Sequence, residues 1–296
     1  MSLHSNVHDT ALIFEGGGMR ASYTSAVVSV LLRDGIFFDW TAGISAGSTN
    51  TINYVSRDPW RARTAFTDFV NDPNFGSMRT FLRGKGYFNA EYIYQRTSAP
   101  GEALPFDMET YQRNPARIRI GGFNALTGET AYWGRDDLKT SLDIRTRVQA
   151  SSTMPGLMPV VQIGDEEWVD GAIGTSGGVA LDAAEADGFE KFLVIMTRPR
   201  DYWKMPPRNP RLVERAFRRY PAVAEALATR SIRYNATKGR LLELEKEGKA
   251  VLFFPENIAV GSTEKNLSKL RASYIAGLEQ AKRELPMWRE FVGLSA

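Results

Sequence analysis

The chain has 296 residues, 43% of them hydrophobic and 24% charged, with a net charge of +3; such values suit a globular protein with a sizeable core and argue against a nucleic-acid binder. It has no cysteine, which excludes a disulfide framework, a thiolate nucleophile and thiolate metal sites. No apolar run exceeds five residues, far short of the ~20 a membrane-spanning helix needs, and Met1 to Thr10 lacks the apolar core of a secretory signal.

Ala11 to Phe14 is a short apolar run ending in Glu15 and three glycines, the pattern of a buried strand entering a tight turn. Met19 to Arg33 has helical periodicity, stopped by Gly35. Phe37 to Ala42 reads as a second strand, Gly43 to Gly47 as a sharp turn and Ser48 to Val55 as a second helix. Two β-turn-α units in succession predict an α/β fold, a mostly parallel sheet with helices on both faces. Trp60 to Tyr111 is aromatic-rich with few strand patterns; residues 56–115 are expected to form helical excursions that either pack on the core or act as a lid.

Arg117 to Asn124 and Thr130 to Trp133 read as strands about a Thr127-Gly128 turn. Val160 to Ile163 and Glu167 to Val169 read as a hairpin around Gly164-Asp165, and Lys191 to Thr197 as a further buried strand. Residues 200–296 are expected to be mainly helical, over Arg211 to Glu247 and Glu264 to Glu284, with a late strand at Val251 to Phe254. Nothing marks a linker, so residues 1–296 read as one domain. The stretch from Arg198 to Arg240 is locally basic, with Arg211, Arg215, Arg218 and Arg219 at helical spacing. That is either a solvated helix surface or a patch for anionic lipid headgroups at a membrane surface.

Three clusters carry chemistry. Gly43-Ile44-Ser45-Ala46-Gly47 has the form G-x-S-x-G, in which small neighbours let a strand turn sharply into a helix and leave the serine Oγ exposed. Gly16-Gly17-Gly18-Met19-Arg20 follows the first strand; glycines let backbone N–H groups converge at a helix start, where they hold a phosphate or an acyl-transfer oxyanion. A dinucleotide site is the rival reading, because Gly16-x-Gly18-x-x-Ala21 fits that fingerprint and Asp39 lies downstream. Yet Asp39 precedes the strand residues Trp40 to Ala42, whereas a ribose-binding acid should follow the strand. The two histidines, His4 and His8, both precede the first strand. Over that strand's length His8 falls ~20 Å from Ser45, so a Ser-His-Asp triad is not expected. Either an aspartate activates Ser45 directly or the serine is inert. Asp170, in Val169-Asp170-Gly171-Ala172, is the candidate base and equally a common turn aspartate.

In this order the three clusters resemble the patatin-like phospholipases, and most closely their bacterial cytoplasmic branch. Ala150-Ser151-Ser152-Thr153-Met154-Pro155 and Lys191 to Pro199 are similar to further segments of that family. The resemblance implies a three-layer α/β/α fold and hydrolysis of fatty-acyl esters of phospholipids or lysophospholipids through an acyl-enzyme, without metal or cofactor. It implies Ser45 as nucleophile and Asp170 as base, an oxyanion hole from Gly16, Gly17, Gly18 and Met19, and supporting roles for Arg20, Gly43, Gly47 and Gly171. It implies a cytoplasmic protein, either free or peripheral to the inner face of the membrane. Ala21 stands where the family often has glycine. A catalytically silent lipid-binding or scaffold protein of the same fold is the alternative.

Overall fold

The computed structural model describes residues 3–294. Within them an eight-stranded sheet runs in the order β5-β6-β3-β2-β1-β7-β8, with β4 paired to β3. The strands are β1 (Thr10–Phe14), β2 (Trp40–Ile44), β3 (Arg117–Asn124), β4 (Thr130–Trp133), β5 (Val161–Ile163), β6 (Glu166–Asp170), β7 (Lys191–Ile195) and β8 (Ala250–Phe253). Strands β3, β2, β1, β7 and β8 are mutually parallel, while β4, β5 and β6 join antiparallel. β1 is buried over all five residues, as expected of a central strand covered on both faces.

The two faces are read off the strand alternation. Leu12, Phe14, Leu193 and Ile195 point to one side, where α1 (Ala21–Arg33), α2 (Ala46–Val55), α6 (Ser141–Ser152) and α10 (Leu267–Phe291) pack. Ala11, Ile13, Ile44 and Val194 point to the other, covered by α7 (Leu181–Ala186) and α9 (Pro221–Lys246). The result is a three-layer α/β/α arrangement.

Residues 59–113 form α3 (Pro59–Phe66), α4 (Met78–Leu82), a π-helical turn over Glu91–Arg96 and α5 (Met108–Arg113). Their aromatics pack edge-to-face in a chain, Phe69 against Phe75 and Phe75 against Phe88 with centroids 5.4 and 5.5 Å apart. This cluster closes over Met19, Ala46 and Met158.

Three expectations need correction. The second strand is Trp40–Ile44 rather than Phe37 to Ala42, because Phe37 and Phe38 are taken up by the N-terminal segment, Phe38 through a single bridge to Val7. Gly43 therefore lies in the strand, not in the turn. The stretch from Arg211 to Glu247 is mostly helical as expected, but as two helices, α8 (Pro210–Ala216) and α9, with Pro221 starting the second; the expected shared arginine face fails, because Arg218 and Arg219 fall between them and share no helix face with Arg211. Helices α6 and α7 come from segments in which no helix was expected.

Candidate active site

Parallel pairing places the carboxyl ends of β1 and β2 together, and Ser45 follows β2 directly as the N-cap of α2. Its backbone is held at φ 58° and ψ −128°, a conformation that costs a non-glycine residue about 1–3 kcal/mol and persists only where the surroundings impose it. They do so here: Ser45 N–H donates to Ser151 Oγ at 2.9 Å, and Ser45 O accepts from Ser48 N–H at 2.9 Å. The flanking glycines are there for space. A Cβ on Gly43 would fall 2.1 Å from Gly47 O, and one on Gly47 would fall 2.2 Å from Phe14 O.

Asp170 reaches Ser45 by an end-on arrangement of strands. Along one edge of β3, Gly121 pairs with Ile44 of β2 and the next residue, Gly122, pairs with Asp170 of β6, while β4 occupies the opposite edge. The last residue of β6 thus meets the end of β2. A Cβ on Gly171 would fall 2.4 Å from Gly121 O, so this junction needs glycine. Ser45 Oγ donates to Asp170 Oδ2 at 2.7 Å, and Asp170 Oδ1 accepts from Ala172 N–H at 2.9 Å. Asp170 is buried, and burial pushes its carboxyl above the ordinary range; the Ala172 N–H, the Arg230 guanidinium and the Ser45 hydroxyl oppose that rise.

The glycine loop enters the same site with its donors divided. Gly16 N–H donates to Gly178 O and Met19 N–H to Ser262 O, both at 3.0 Å. Among the described residues nothing accepts from the N–H groups of Gly17 and Gly18, so of the four expected donors these two are open. Gly18, at φ 55°, takes a left-handed turn that glycine adopts without strain. Gly18, Met19, Ser45 and Ala46 line a mostly apolar pocket with Phe66, Phe88, Ile93, Tyr94, Ser152, Met154 and Met158. A second pocket, sharing Ala65, Phe66, Ile93 and Tyr94, adjoins it.

Asp39 and His8 lie elsewhere. Asp39 precedes β2, and His8 Nδ1 lies 3.0 Å from Asp39 Oδ2 at the strand's amino end. A carboxylate at that end cannot hold a ribose on the glycine loop, which removes the dinucleotide reading. Ser151 was not assigned a role from sequence, nor were Tyr94 and Arg230. Only the Ala150 to Pro155 segment, noted for its likeness to a family, pointed towards the first.

A family model for patatin-like phospholipases matches residues 12–182, more than half of the chain. The chain belongs to the patatin-like phospholipase family. Residues 220–293 match a domain of unknown function, DUF6363. The patatin-like sheet does not end with the first match, since β7 and β8 extend it beyond residue 182. An uncharacterized protein of Escherichia coli (strain K12), YjjU, is 25% identical over 201 residues, which cover 66% of this chain and 54% of YjjU. The chain thus spans about half the length of that curated relative. Among solved structures, VipD from Legionella pneumophila superposes with a TM-score of 0.45 at 12% identity, covering 93% of this chain and 67% of VipD.

Proposed function

We propose that this patatin-like protein hydrolyses fatty-acyl esters of phospholipids or lysophospholipids through a Ser45–Asp170 dyad. The observation that carries the reading is the 2.7 Å hydrogen bond from Ser45 Oγ to a buried Asp170 carboxyl, beside two open backbone N–H groups. Asp170 Oδ2 takes the Ser45 proton as Oγ attacks the ester carbon. The tetrahedral oxyanion faces Gly17 and Gly18 N–H, and protonated Asp170 returns the proton to the departing alkoxide. A water then repeats the sequence on the acyl-enzyme, with Asp170 accepting its proton and Ser45 leaving as the hydroxyl. The apolar pocket roofed by residues 59–113 receives the acyl chain. A fluorophosphonate probe tests the reading: it should label the native chain and not Ser45→Ala, and a native chain left unlabelled would point to a silent lipid-binding protein.

An anionic membrane surface is the proposed setting. No described helix is long and apolar enough to cross a membrane, but the pocket rim is both apolar and basic. On and after α4, Met78, Phe81 and Leu82 are exposed beside Arg79, Arg83 and Lys85. Elsewhere on the surface, α8 and the segment before it expose Trp203, Met205 and Leu212 with Arg208, Arg211 and Arg215. The two groups meet at the loop 154–158, where Leu157 O accepts from Tyr87 N–H and Phe217 lies against Gly156. Apolar residues interleaved with cations fit an interface that is apolar below and negatively charged above.

A further inference from the structure

Four cations converge beside the proposed dyad, three of them from outside the segment that matches the patatin-like family. Arg20 follows the glycine loop. Arg198 lies just beyond β7, where Thr197 packs against Gly17. Lys204 follows on the next segment, and Arg230 projects from α9, its Nη2 3.8 Å from where a Cβ on Gly178 would sit. Gly178 O is the acceptor for Gly16 N–H, so Arg230 stands against the glycine loop.

This arrangement is built, not incidental. Lys238 of α9 donates to the carbonyls of Arg200 and Tyr202, and Asn235 exchanges hydrogen bonds of 2.9 and 3.0 Å with the Lys204 backbone. These contacts strap the 200–204 segment onto α9. Arg198 then stacks on Tyr202 at 4.3 Å, and the Lys204 ammonium faces the Tyr234 ring at 5.2 Å.

Among the described residues no carboxylate lies within ion-pair reach of Arg20, Arg198, Lys204 or Arg230. Two buried acids lie nearby: Glu15, which accepts from Thr197 N–H and attracts Arg20 and Lys204, and Asp170, on which Arg230 acts. Arg20 is only 9% exposed, and the Nε atoms of Arg20, Arg198 and Arg230 are buried without partners. Burial and the neighbouring guanidinium groups press Lys204 down to about 8 and Arg20 down to about 10. Cations gathered without ion-pair partners at the carboxyl ends of β1 and β7, three of them with an unpartnered buried Nε, call for an anion with several acceptor oxygens.

We infer that Arg20, Arg198, Lys204 and Arg230 form a phosphomonoester site on the leaving-group side of Ser45. The inference rests on Ser45 being the acyl-transfer nucleophile. The apolar pocket lies on the sheet face carrying α2 and α6, whereas α9 covers the opposite face. An ester straddling Ser45 would put its acyl chain in the pocket and its headgroup among the cations. The same chemistry would also hold free phosphate.

Calorimetric titration of full-length Ser45→Ala at low salt (~50 mM, where screening is weak) with dihexanoyl phosphatidate, dihexanoylglycerol and inorganic phosphate separates these sources and needs no catalysis. Phosphatidate should bind at least about tenfold more tightly than dihexanoylglycerol, a margin expected of charge-assisted hydrogen bonds. Adding Lys204→Met with Arg230→Met, or Lys204→Met alone, should erase most of that margin. Phosphatidate binding more tightly than inorganic phosphate identifies a lipid headgroup as the ligand; equal binding identifies free phosphate, with the site intact. If neither phosphate probe binds, or if both bind unchanged in the lysine and double variants, the site is wrong. A site that binds phosphate in a protein refusing the fluorophosphonate would stand while the hydrolase reading fell.

Discussion

Ser151 holds the backbone of Ser45: its Oγ accepts the Ser45 N–H at 2.9 Å and donates to Gly121 O at 2.6 Å. One hydroxyl therefore spans the junction where β2 ends against β3, and it fixes the strained turn that aims Ser45 at Asp170. Ser151→Ala should leave a buried N–H and a buried carbonyl without partners, costing about 1–3 kcal/mol. Calorimetry should show a lower Tm, and fluorophosphonate labelling of Ser45 should slow by about tenfold to a hundredfold, as for a slightly misplaced reacting atom. Unchanged labelling would show that the elbow keeps its geometry without Ser151.

Asp170→Asn should separate activity from stability. Asparagine can still accept from Ala172 N–H and meet Ser45 Oγ, but it cannot take a proton, so ester hydrolysis should fall by about 10²–10⁴-fold. Stability should move the other way. Burial raises the folded-state carboxyl above its unfolded value, so between the two values the native state holds the extra proton and stability falls as pH rises. Once ionised, the wild type carries the cost of a buried carboxylate, which the amide removes. Denaturation at pH 7 should find Asp170→Asn at least as stable as wild type, with its advantage shrinking as pH falls from the raised value to the ordinary carboxylate range. The same raised value places the acid limb of wild-type activity above that range. A variant both inactive and markedly less stable at pH 7 would mean that Asp170 serves the fold.

Much of this site was legible because it is local in sequence. The glycine loop follows β1 and the serine follows β2, so strand, turn and helix each announce the next. What was missed depends on distant pairing. That β2 and β6 meet end-on along β3 cannot be read from either strand, and so Asp170 was as plausible a turn residue as a base. Helix α6 was missed because Ile144, Val148 and Ala150 are its few buried apolar residues. Its one clear signal was the Thr140–Asp143 capping box, with Thr140 receiving Asp143 N–H at 3.1 Å and Asp143 receiving Thr140 N–H at 2.9 Å. The basic run from Arg198 to Arg240 dissolved for a similar reason. Arg200 pairs with Glu245 and Arg219 with Glu167, Lys238 turns inward to carbonyls, and only Arg198, Lys204 and Arg230 gather near the site.

A base made of Asp170 alone requires that both histidines be dispensable. His8 is tied to Asp39 at the amino end of β2, with the length of the strand between it and Ser45. His8 is itself 67% exposed in that pair, so removing it should alter stability little. His4→Ala with His8→Ala should therefore keep the wild-type rate on a p-nitrophenyl acyl ester. A loss of about a hundredfold in the folded double variant, the scale of a missing general base, would overturn the dyad.

The proposed membrane contact predicts that binding depends on two kinds of residue at once. Leu82 is 80% exposed and Met78 58% exposed, a poor arrangement in water alone, while Arg79, Arg83 and Lys85 supply attraction to an anionic surface. Vesicles rich in phosphatidylserine should therefore bind the protein more strongly than neutral phosphatidylcholine vesicles, and raising salt towards ~0.5 M should weaken the difference by shortening the screening length. Leu82→Asp with Met78→Asp puts carboxylates where the apolar contacts would enter the interface. Because both side chains are exposed, the fold has little to lose. Flotation with anionic vesicles should show less of this variant bound at every salt concentration, and hydrolysis of vesicle lipid should fall further than hydrolysis of a soluble ester. Arg211→Glu with Arg215→Glu on α8 should instead reduce the salt-sensitive part of binding. If the α4 variant floats like wild type, the apolar residues of that helix do not enter lipid. If binding is the same on neutral and anionic vesicles, the cations of the rim do not guide it.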